Sequence, residues 1–193
     1  EVLVVILCYL IGSIPFSYLS GKFLAHTDVR SRGSGNVGAT NVYRTSGVWP
    51  GLLAFLGDLF KGAVAAWLGL AMGGSVLVVI CSLAAVIGHC YPLFLKFRGG
   101  KAAATAGGAV LFLMPKVGVI LLLLFIAVTL FSRYVSLASI TVAIALPFAA
   151  YLLHYPGEYV VLSFLMMLIV VYRHRENISR LRQGSEARIG DRV

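Results

Sequence analysis

The chain has 193 residues, of which 60% are hydrophobic and only 12% are charged. A soluble domain of this length carries about twice that charged fraction, so the composition excludes an ordinary soluble protein and indicates an integral membrane protein. The net charge of +9 would suggest a nucleic-acid partner in a soluble protein. Here the basic residues lie between apolar runs, so membrane topology explains them more simply, and we expect no nucleic-acid partner.

The apolar segments predict membrane-spanning helices, because a helix needs about 17–25 apolar residues to cross the bilayer core. In chain order these segments are 2–20, 48–72, 76–95, 102–114, 117–131, 135–153 and 159–172. Only Met114-Pro115-Lys116 separates the fourth segment from the fifth, which are therefore either two short helices or a re-entrant hairpin. The sequence predicts one all-α membrane domain, 1–193, with about seven spans, or with five if the hairpin does not cross.

The basic residues lie almost entirely on one side of the membrane under either span count. They are Arg30, Arg32 and Arg44 after the first span, Lys96, Arg98 and Lys101 after the third, Arg133 before 135–153, and Arg173, Arg175, Arg180, Arg182, Arg188 and Arg192 in the tail. The positive-inside rule makes this side cytoplasmic. We therefore expect the N-terminus outside and the C-terminus in the cytoplasm.

The first polar segment, residues 32–44, is too rich in glycine, amide and hydroxyl groups for a plain connecting loop. Glycines let backbone N–H groups approach an anion, and amides, hydroxyls and arginine add further donors. The alternative is a flexible linker, which needs no asparagine. We favour anion binding, and the candidate residues are Ser34, Gly35, Asn36, Thr40, Asn41 and Arg44.

The second polar segment carries Gly99-Gly100-Lys101 directly before an apolar helix that includes Thr105. Backbone amides, a helix N-terminus and a lysine in this order predict a phosphate site. The alternative is a lysine that snorkels from a helix end to the interface. The segment is not a Walker A loop, because Leu95 replaces its first glycine and no Ser or Thr follows the lysine.

Three ionisable residues fall inside apolar segments. Asp58 and Lys61 are three residues apart, so they share a helix face and can pair. A structural ion pair and a functional role have similar weight for them. His89 lies at the end of the third span, where an ionisable group is often functional, and a supporting role is favoured over proton transfer.

Two further polar groups lie near the expected cytoplasmic side. Ser136 and Ser139 follow Arg133 at a helix start, and a helix places His174 and Asn177 on one face in the tail. The absence of a Gly-x-Ser-x-Gly elbow argues against a serine nucleophile. The seven acidic residues are scattered, so the sequence predicts no metal site.

These segments together resemble the PlsY family, the bacterial acyl-phosphate:glycerol-3-phosphate acyltransferases. The matching motifs are 33–41 with Arg44, Asp58 to Gly62, Gly88-His89 with Pro92 and 97–101, Arg133 with Ser136 and Ser139, and 175–178 with Arg180, Gly184 and Glu186. Their common order makes the resemblance specific. Arg98 stands where the family commonly has Lys, and Ala102 stands where glycine is usual.

The resemblance implies transfer of a fatty acyl group from acyl-phosphate to the sn-1 hydroxyl of glycerol 3-phosphate. The products are lysophosphatidic acid and phosphate, in the first acylation step of phospholipid biosynthesis. It also implies a bacterial inner-membrane protein with a cytoplasmic active site, no cofactor, and a functional link to the enzyme that makes acyl-phosphate. We further expect a monomer.

The resemblance and the motifs together give each candidate residue a role. The expected catalytic residues are Lys101, Arg44, His174 and Asn177. The expected substrate-binding residues are Ser34, Gly35, Asn36, Thr40, Asn41, His89, Gly99, Gly100, Thr105, Ser136 and Ser139. Asp58, Lys61 and Glu186 are expected to support the site. We expect direct attack without an acyl-enzyme, with either His174 or an oxygen of the acyl-phosphate as the base.

Two other classes of protein fit part of the pattern. A transporter of phosphorylated molecules would explain the spans and basic loops, but it predicts polar groups near the membrane midplane rather than at one face. A structural or lipid-binding subunit would leave the glycine, asparagine and lysine motifs without a purpose.

Overall fold

The structure, a computed structural model, describes residues 1–191, and this range contains helices and no strand. Its α-helices are α1 (Val2–Ser13), α2 (Phe16–Ala25), α3 (Ala39–Ser46), α4 (Val48–Cys90), α5 (Ala103–Leu113), α6 (Pro115–Ser132), α7 (Val135–Leu152), α8 (Gly157–Arg173) and α9 (Arg175–Arg182). A single 3-10 turn, Leu93–Leu95, follows α4. The predicted all-α class is confirmed for this range. Arg192, one of the predicted tail cations, lies outside the described residues.

Within residues 1–191, four apolar segments are long enough to cross a bilayer: Val2–Ala25, Val48–Leu95, Pro115–Ser132 and Val135–Leu152. The pair α8 and α9, bent by 57°, gives a fifth if it forms one span. Helix α5 is apolar but shorter than these segments. The number of spans and their orientation stay predictions.

Helix α4 is two helices joined by a sharp break at Gly73 and Gly74. Gly74 has φ of 78°, a left-handed conformation that only glycine adopts without a steric cost. Before the break, a β-carbon at Gly69 would lie 2.7 Å from the Cα of Val78. The two halves of α4 therefore fold back on each other about the glycine pair, which lies between the predicted segments 48–72 and 76–95.

The first apolar segment is also broken, which the sequence did not predict. Helix α1 ends before Ile14, whose ψ of 118° is extended, and α2 begins after Pro15. A proline disfavours the helical conformation of the residue before it, and it has no N–H to donate. Because Ile14 is extended, its carbonyl lies outside the helical pattern, where it accepts the N–H of Phe16 at 3.1 Å and can also accept from a side chain of another helix.

The helices form two compact units, Glu1–Ala109 and Val110–Ile189, which we call the first and second units. In the first unit, α1, α2 and α3 all pack on α4. Any side chain at Gly12 would overlap the backbone of Ala85, and one at Gly62 would overlap the carbonyl of Thr105. Glycine at these positions therefore lets the helix backbones approach closely, as is common in membrane proteins.

In the second unit, α7 packs against both α6 and α8. Helix α6 begins with Pro115 at its first position, where a missing N–H has no cost. Helices α8 and α9 meet at His174. The chain after α9 returns to the connection between α6 and α7, where the backbone N–H of Ile189 donates to the carbonyl of Arg133 at 2.7 Å.

Candidate active site

The loop before α3 is held together by one buried asparagine. Asn41 is 2% exposed, and its amide nitrogen donates to the carbonyls of Val29 and Arg32 at 2.8 and 3.1 Å. Its amide oxygen accepts the backbone N–H of Ser34 at 2.9 Å. These hydrogen bonds support a role in shaping the loop rather than the direct substrate contact predicted from the sequence.

The other candidates of this loop are more accessible than Asn41. Ser34 and Gly35 are exposed, and Asn36 is half-buried. Thr40 and Arg44 are both half-buried residues of α3 and lie four apart, so they share one face of the helix. Gly35 has φ of 68°, which explains the need for glycine there.

The second loop folds back onto the end of α4. The N–H of Gly99 donates to the carbonyl of Cys90 at 3.2 Å, and the N–H of Gly100 donates to the carbonyl of His89 at 3.1 Å. The sequence predicted that these two amides point to a substrate phosphate. Because both donate to α4, the structure supports a different role for the glycines, which is to let the loop lie against the helix end.

Left-handed backbone conformations are unusually frequent around this loop. Lys96, Phe97 and Ala102 have φ of 51°, 61° and 60°. Such conformations cost a non-glycine residue of the order of 1 kcal/mol, and they concentrate at functional sites. The positive φ at Ala102 favours glycine, the residue that the resemblance to the PlsY motif leads one to expect there.

Lys101 and Thr105 lie at the start of α5. Lys101 is half-buried and precedes the first residue of α5 by two positions, where the helix dipole favours an anion. Thr105 is fully buried in the first unit, and its carbonyl faces Gly62 of α4. The cation expected to bind phosphate is therefore held between a pinned loop and a packed helix.

A buried charged cluster lies beneath this loop in the first unit. The Asp58 carboxylate is 2.8 Å from the Nζ atom of Lys61 and 3.3 Å from Nδ1 of His89. The predicted pairing of Asp58 with Lys61 is therefore present. All three side chains are buried.

Two partners of this cluster were missed at the sequence level. Ser17 of α2 donates its hydroxyl to Oδ2 of Asp58 at 2.9 Å, and Lys61 donates to the carbonyl of Ile14 at 3.0 Å. The signal for the second contact was Pro15, because a proline disfavours the helical conformation of the residue before it, and the carbonyl of Ile14 therefore leaves the helical pattern. No comparable signal marks Ser17.

In the second unit, Glu186 is the centre of a polar network. It accepts hydrogen bonds from Ser136 at 2.6 Å, from Asn177 at 2.6 Å and from Arg180 at 2.7 Å. Burial raises the pKa of Glu186, but the hydrogen bonds from Ser136, Arg180 and Asn177 outweigh it, so that the pKa lies below its ordinary value. Glu186 thus anchors α7, α9 and the tail, and its support of the active site stays a prediction.

His174 and Ser139 are the remaining candidates of the second unit. His174 is buried between α8 and α9, and its Nδ1 lies 2.7 Å from the carbonyl of Val170. Because a carbonyl only accepts, Nδ1 carries the proton and Nε2 is the basic nitrogen of the neutral ring. Ser139 donates to the carbonyl of Val135 at 2.9 Å, within its own helix.

Replacing Glu186 with glutamine is expected to lower the free energy of unfolding by about 2 kcal/mol at neutral pH. The charge that accepts three hydrogen bonds is lost, and hydrogen bonds to a charged group contribute about 1.5–3 kcal/mol each. The folded-state pKa is lowered, so this stabilisation is present above 4.5, the ordinary pKa, and is lost as the pH falls through the folded-state value. Thermal unfolding of both proteins between pH 7 and pH 3 checks this.

Asp28→Asn is the matched control for this experiment. The pKa of Asp28 is lowered to about 2, chiefly by its hydrogen bonds from Arg30, but the pair is exposed. Exposed pairs contribute less than about 1 kcal/mol, so Asp28→Asn is expected to unfold close to wild type at neutral pH. Equal destabilisation by both substitutions at pH 7 contradicts the anchoring role of Glu186.

Comparison with known proteins places the whole chain in one group. The family model described as glycerol-3-phosphate acyltransferase matches residues 2–184. A glycerol-3-phosphate acyltransferase of Syntrophomonas wolfei subsp. wolfei is 58% identical over 193 residues, which are 100% of this chain and 99% of the relative. One from Carboxydothermus hydrogenoformans is 42% identical over 99% of this chain and 97% of its own length.

Two crystal structures share the fold. The glycerol 3-phosphate form of PlsY, an integral membrane glycerol 3-phosphate acyltransferase, has a TM-score of 0.93 at 41% identity and covers 98% of this chain and 95% of its own. The lysophosphatidic acid form of PlsY has a TM-score of 0.91 at 40% identity, with the same coverage. Both are similar to this chain over nearly its whole length.

Proposed function

Because the chain belongs to the glycerol-3-phosphate acyltransferase family, we propose that it transfers a fatty acyl group from an acyl-phosphate to the sn-1 hydroxyl of glycerol 3-phosphate. The resemblance inferred from the motifs is thereby confirmed, and the protein is a membrane acyltransferase. The proposal rests most directly on its similarity to a protein solved with glycerol 3-phosphate and with lysophosphatidic acid. The acyl-phosphate donor is what the resemblance to the PlsY family implies.

The chemistry of this reaction suits a site made of cations. Both substrates carry a phosphate and the leaving group is a phosphate, so the largest gain comes from stabilising negative charge as it develops. Lys101 and Arg44 are the candidates for this role. Because the amides of Gly99 and Gly100 donate to α4, the side-chain cations carry more of this task than the sequence suggested.

The reaction proceeds in this proposal by direct attack. The sn-1 oxygen forms an ester bond to the acyl carbon, and the bond from that carbon to the phosphate oxygen breaks with its electron pair on phosphate. The hydroxyl proton passes either to an oxygen of the acyl-phosphate or to His174, whose Nε2 is the basic nitrogen. Serine and cysteine nucleophiles are not needed.

The lipid nature of the donor and product fits the apolar helices. Burying an acyl chain in an apolar environment stabilises it by about 0.8 kcal/mol per methylene group, so a site that opens to the bilayer avoids transferring the chain through water. The proposal places the protein in the bacterial inner membrane, with the site on the cytoplasmic side. In this proposal the protein acts as a monomer. It depends on a separate enzyme that supplies the acyl-phosphate.

Reconstitution of the purified protein in vesicles tests the function. With a long-chain acyl-phosphate and glycerol 3-phosphate, we expect equimolar phosphate and lysophosphatidic acid, and acyl-CoA is not expected to replace the donor. Vesicles without protein are the blank. Absence of lysophosphatidic acid overturns the enzymatic proposal, and uptake of labelled glycerol 3-phosphate in its place would support the transporter.

The same assay with His174→Ala identifies the base. If His174 accepts the proton, the variant loses kcat by about 10²-fold or more near neutral pH, which is the usual contribution of a positioned base. A kcat close to wild type across the pH range assigns the proton to the acyl-phosphate. A covalent acyl-protein trapped in a rapid quench contradicts direct attack in either case.

A further inference from the structure

We propose that Asp58 is a positioning residue of the acyl transfer, which holds the His89 ring and through it the segment Gly99-Gly100-Lys101. This inference rests on the proposed function, since it concerns the loop that carries the candidate cation. It gives Asp58 a task beyond that of counter-ion to Lys61.

The first observation is that the Asp58 carboxylate joins separate parts of the first unit. It is 1% exposed, and its Oδ2 accepts the hydroxyl of Ser17 from α2 at 2.9 Å. Its Oδ1 lies 2.8 Å from Lys61 and 3.3 Å from Nδ1 of His89. A carboxylate at this distance attracts the Nδ1–H of the ring electrostatically, which favours the proton on Nδ1 and one orientation of the ring.

The second observation is that His89 contacts the loop twice. Its backbone carbonyl accepts the N–H of Gly100 at 3.1 Å. Its ring lies so close to Gly100 that a β-carbon there would overlap Nε2. A change in the angle of the ring therefore moves Gly100, and Lys101 is bonded to Gly100. Asp58 is therefore connected to Lys101 through the His89 ring, which contacts Gly100, and through the peptide bond between Gly100 and Lys101.

A third observation places cluster and loop at one pocket of the first unit. Asp58, Lys61 and His89 line it together with Gly99 and Gly100. The cluster and the loop therefore face the same pocket of the first unit.

A purely structural role explains less of this arrangement. Lys61 already has two acceptors, the Asp58 carboxylate and the carbonyl of Ile14, so its burial does not need His89. Replacing a buried ion pair with uncharged groups of similar volume is often neutral for stability, because removing the charges from water costs as much as their attraction returns. A structural pair can therefore be neutralised without loss, whereas a positioning carboxylate cannot.

Neutralising Asp58 and Lys61 together therefore distinguishes a structural ion pair from a positioning carboxylate. Asp58→Asn alone leaves Lys61 buried without a counter-charge, and both Tm and kcat/KM are expected to fall. The double variant Asp58→Asn with Lys61→Met removes both charges. It is expected to recover Tm but to keep kcat/KM about 10-fold or more below wild type, the scale expected when a reacting group is misplaced by a fraction of an ångström.

His89→Gln supplies the second arm, because Asp58 is inferred to act through this ring. The single variant His89→Gln is expected to lower kcat/KM by about as much as the double variant does. In the triple variant, kcat/KM is expected to be less than about threefold below that of the double variant. Each protein is assayed well below its own Tm, so that only folded enzyme contributes. This arm is independent of how far Tm recovers.

Two results overturn the inference. One is a double variant whose kcat/KM returns to within about twofold of wild type, which makes Asp58 a counter-ion only. The other is a triple variant in which the effects of the double variant and of His89→Gln multiply, since independent effects exclude a common path. Neither affects the proposed function, which fails only if the wild-type protein makes no lysophosphatidic acid.

Discussion

Replacing Lys101 with alanine is expected to lower kcat/KM for acyl transfer by about 10²–10³-fold while leaving Tm close to wild type. Removing one group that stabilises charge in a transition state has an effect of this size. Lys101 is half-buried before the first turn of α5, where its charge and the helix dipole both favour an anion. Phosphate release from acyl-phosphate and glycerol 3-phosphate measures the effect.

Lys96→Ala is the matched control, because Lys96 lies on the same loop and is exposed. It removes the same charge from the protein, but we expect kcat/KM within about twofold of wild type, since exposed charges are screened by salt. The kcat/KM of Lys101→Arg is expected to lie between those of Lys96→Ala and Lys101→Ala, because arginine keeps the positive charge but places it with a different geometry. An equal loss in Lys96→Ala and Lys101→Ala assigns the effect to overall surface charge and contradicts a specific role.

The helices could be predicted from the sequence because their signals are local. Apolar runs of sufficient length became helices α6, α7 and α8, and Gly73-Gly74 is where α4 breaks. The ion pair between Asp58 and Lys61 could also be predicted, since a spacing of three residues on a helix brings two side chains together. Each of these features depends on a few neighbouring residues.

The contacts that build the site could not be predicted, because they join distant parts of the chain. Ser17 donates a hydrogen bond to Asp58, which lies 41 positions further along the chain. The sequence of α2 does not indicate which of its residues face α4, because apolar residues occur on most sides of this helix. The direction in which a backbone N–H points also cannot be predicted from the sequence. Gly99-Gly100-Lys101 predicted two donors for phosphate, yet both amides turn to α4.

The same limit explains Asn41. The sequence singles out this residue and its loop as unusual, but a polar residue in a loop can either contact a ligand or hold the loop in shape. Only the structure shows that its amide is used by three backbone groups of the loop. A motif therefore identifies the residues that matter more readily than it separates binding from support.

Gly100→Ala is expected to lower kcat/KM by about 10²-fold although it adds only one methyl group. That methyl would overlap Nε2 of His89 and lie 2.5 Å from the carbonyl of Val37. The Val37 carbonyl is backbone and cannot turn aside, so the loop itself must move and Lys101 moves with it. Misplacement of a reacting group by about 1 Å costs a factor of this order.

Gly107→Ala is the control that separates this clash from a general effect of replacing glycine. A β-carbon at Gly107 would meet no protein atom within 4 Å, and alanine is more favourable than glycine in a helix by about 1 kcal/mol. We therefore expect normal activity and a slightly higher Tm from Gly107→Ala. If Gly100→Ala is as active as this control, the activity does not depend on the close approach of Gly100 to His89, which contradicts this prediction.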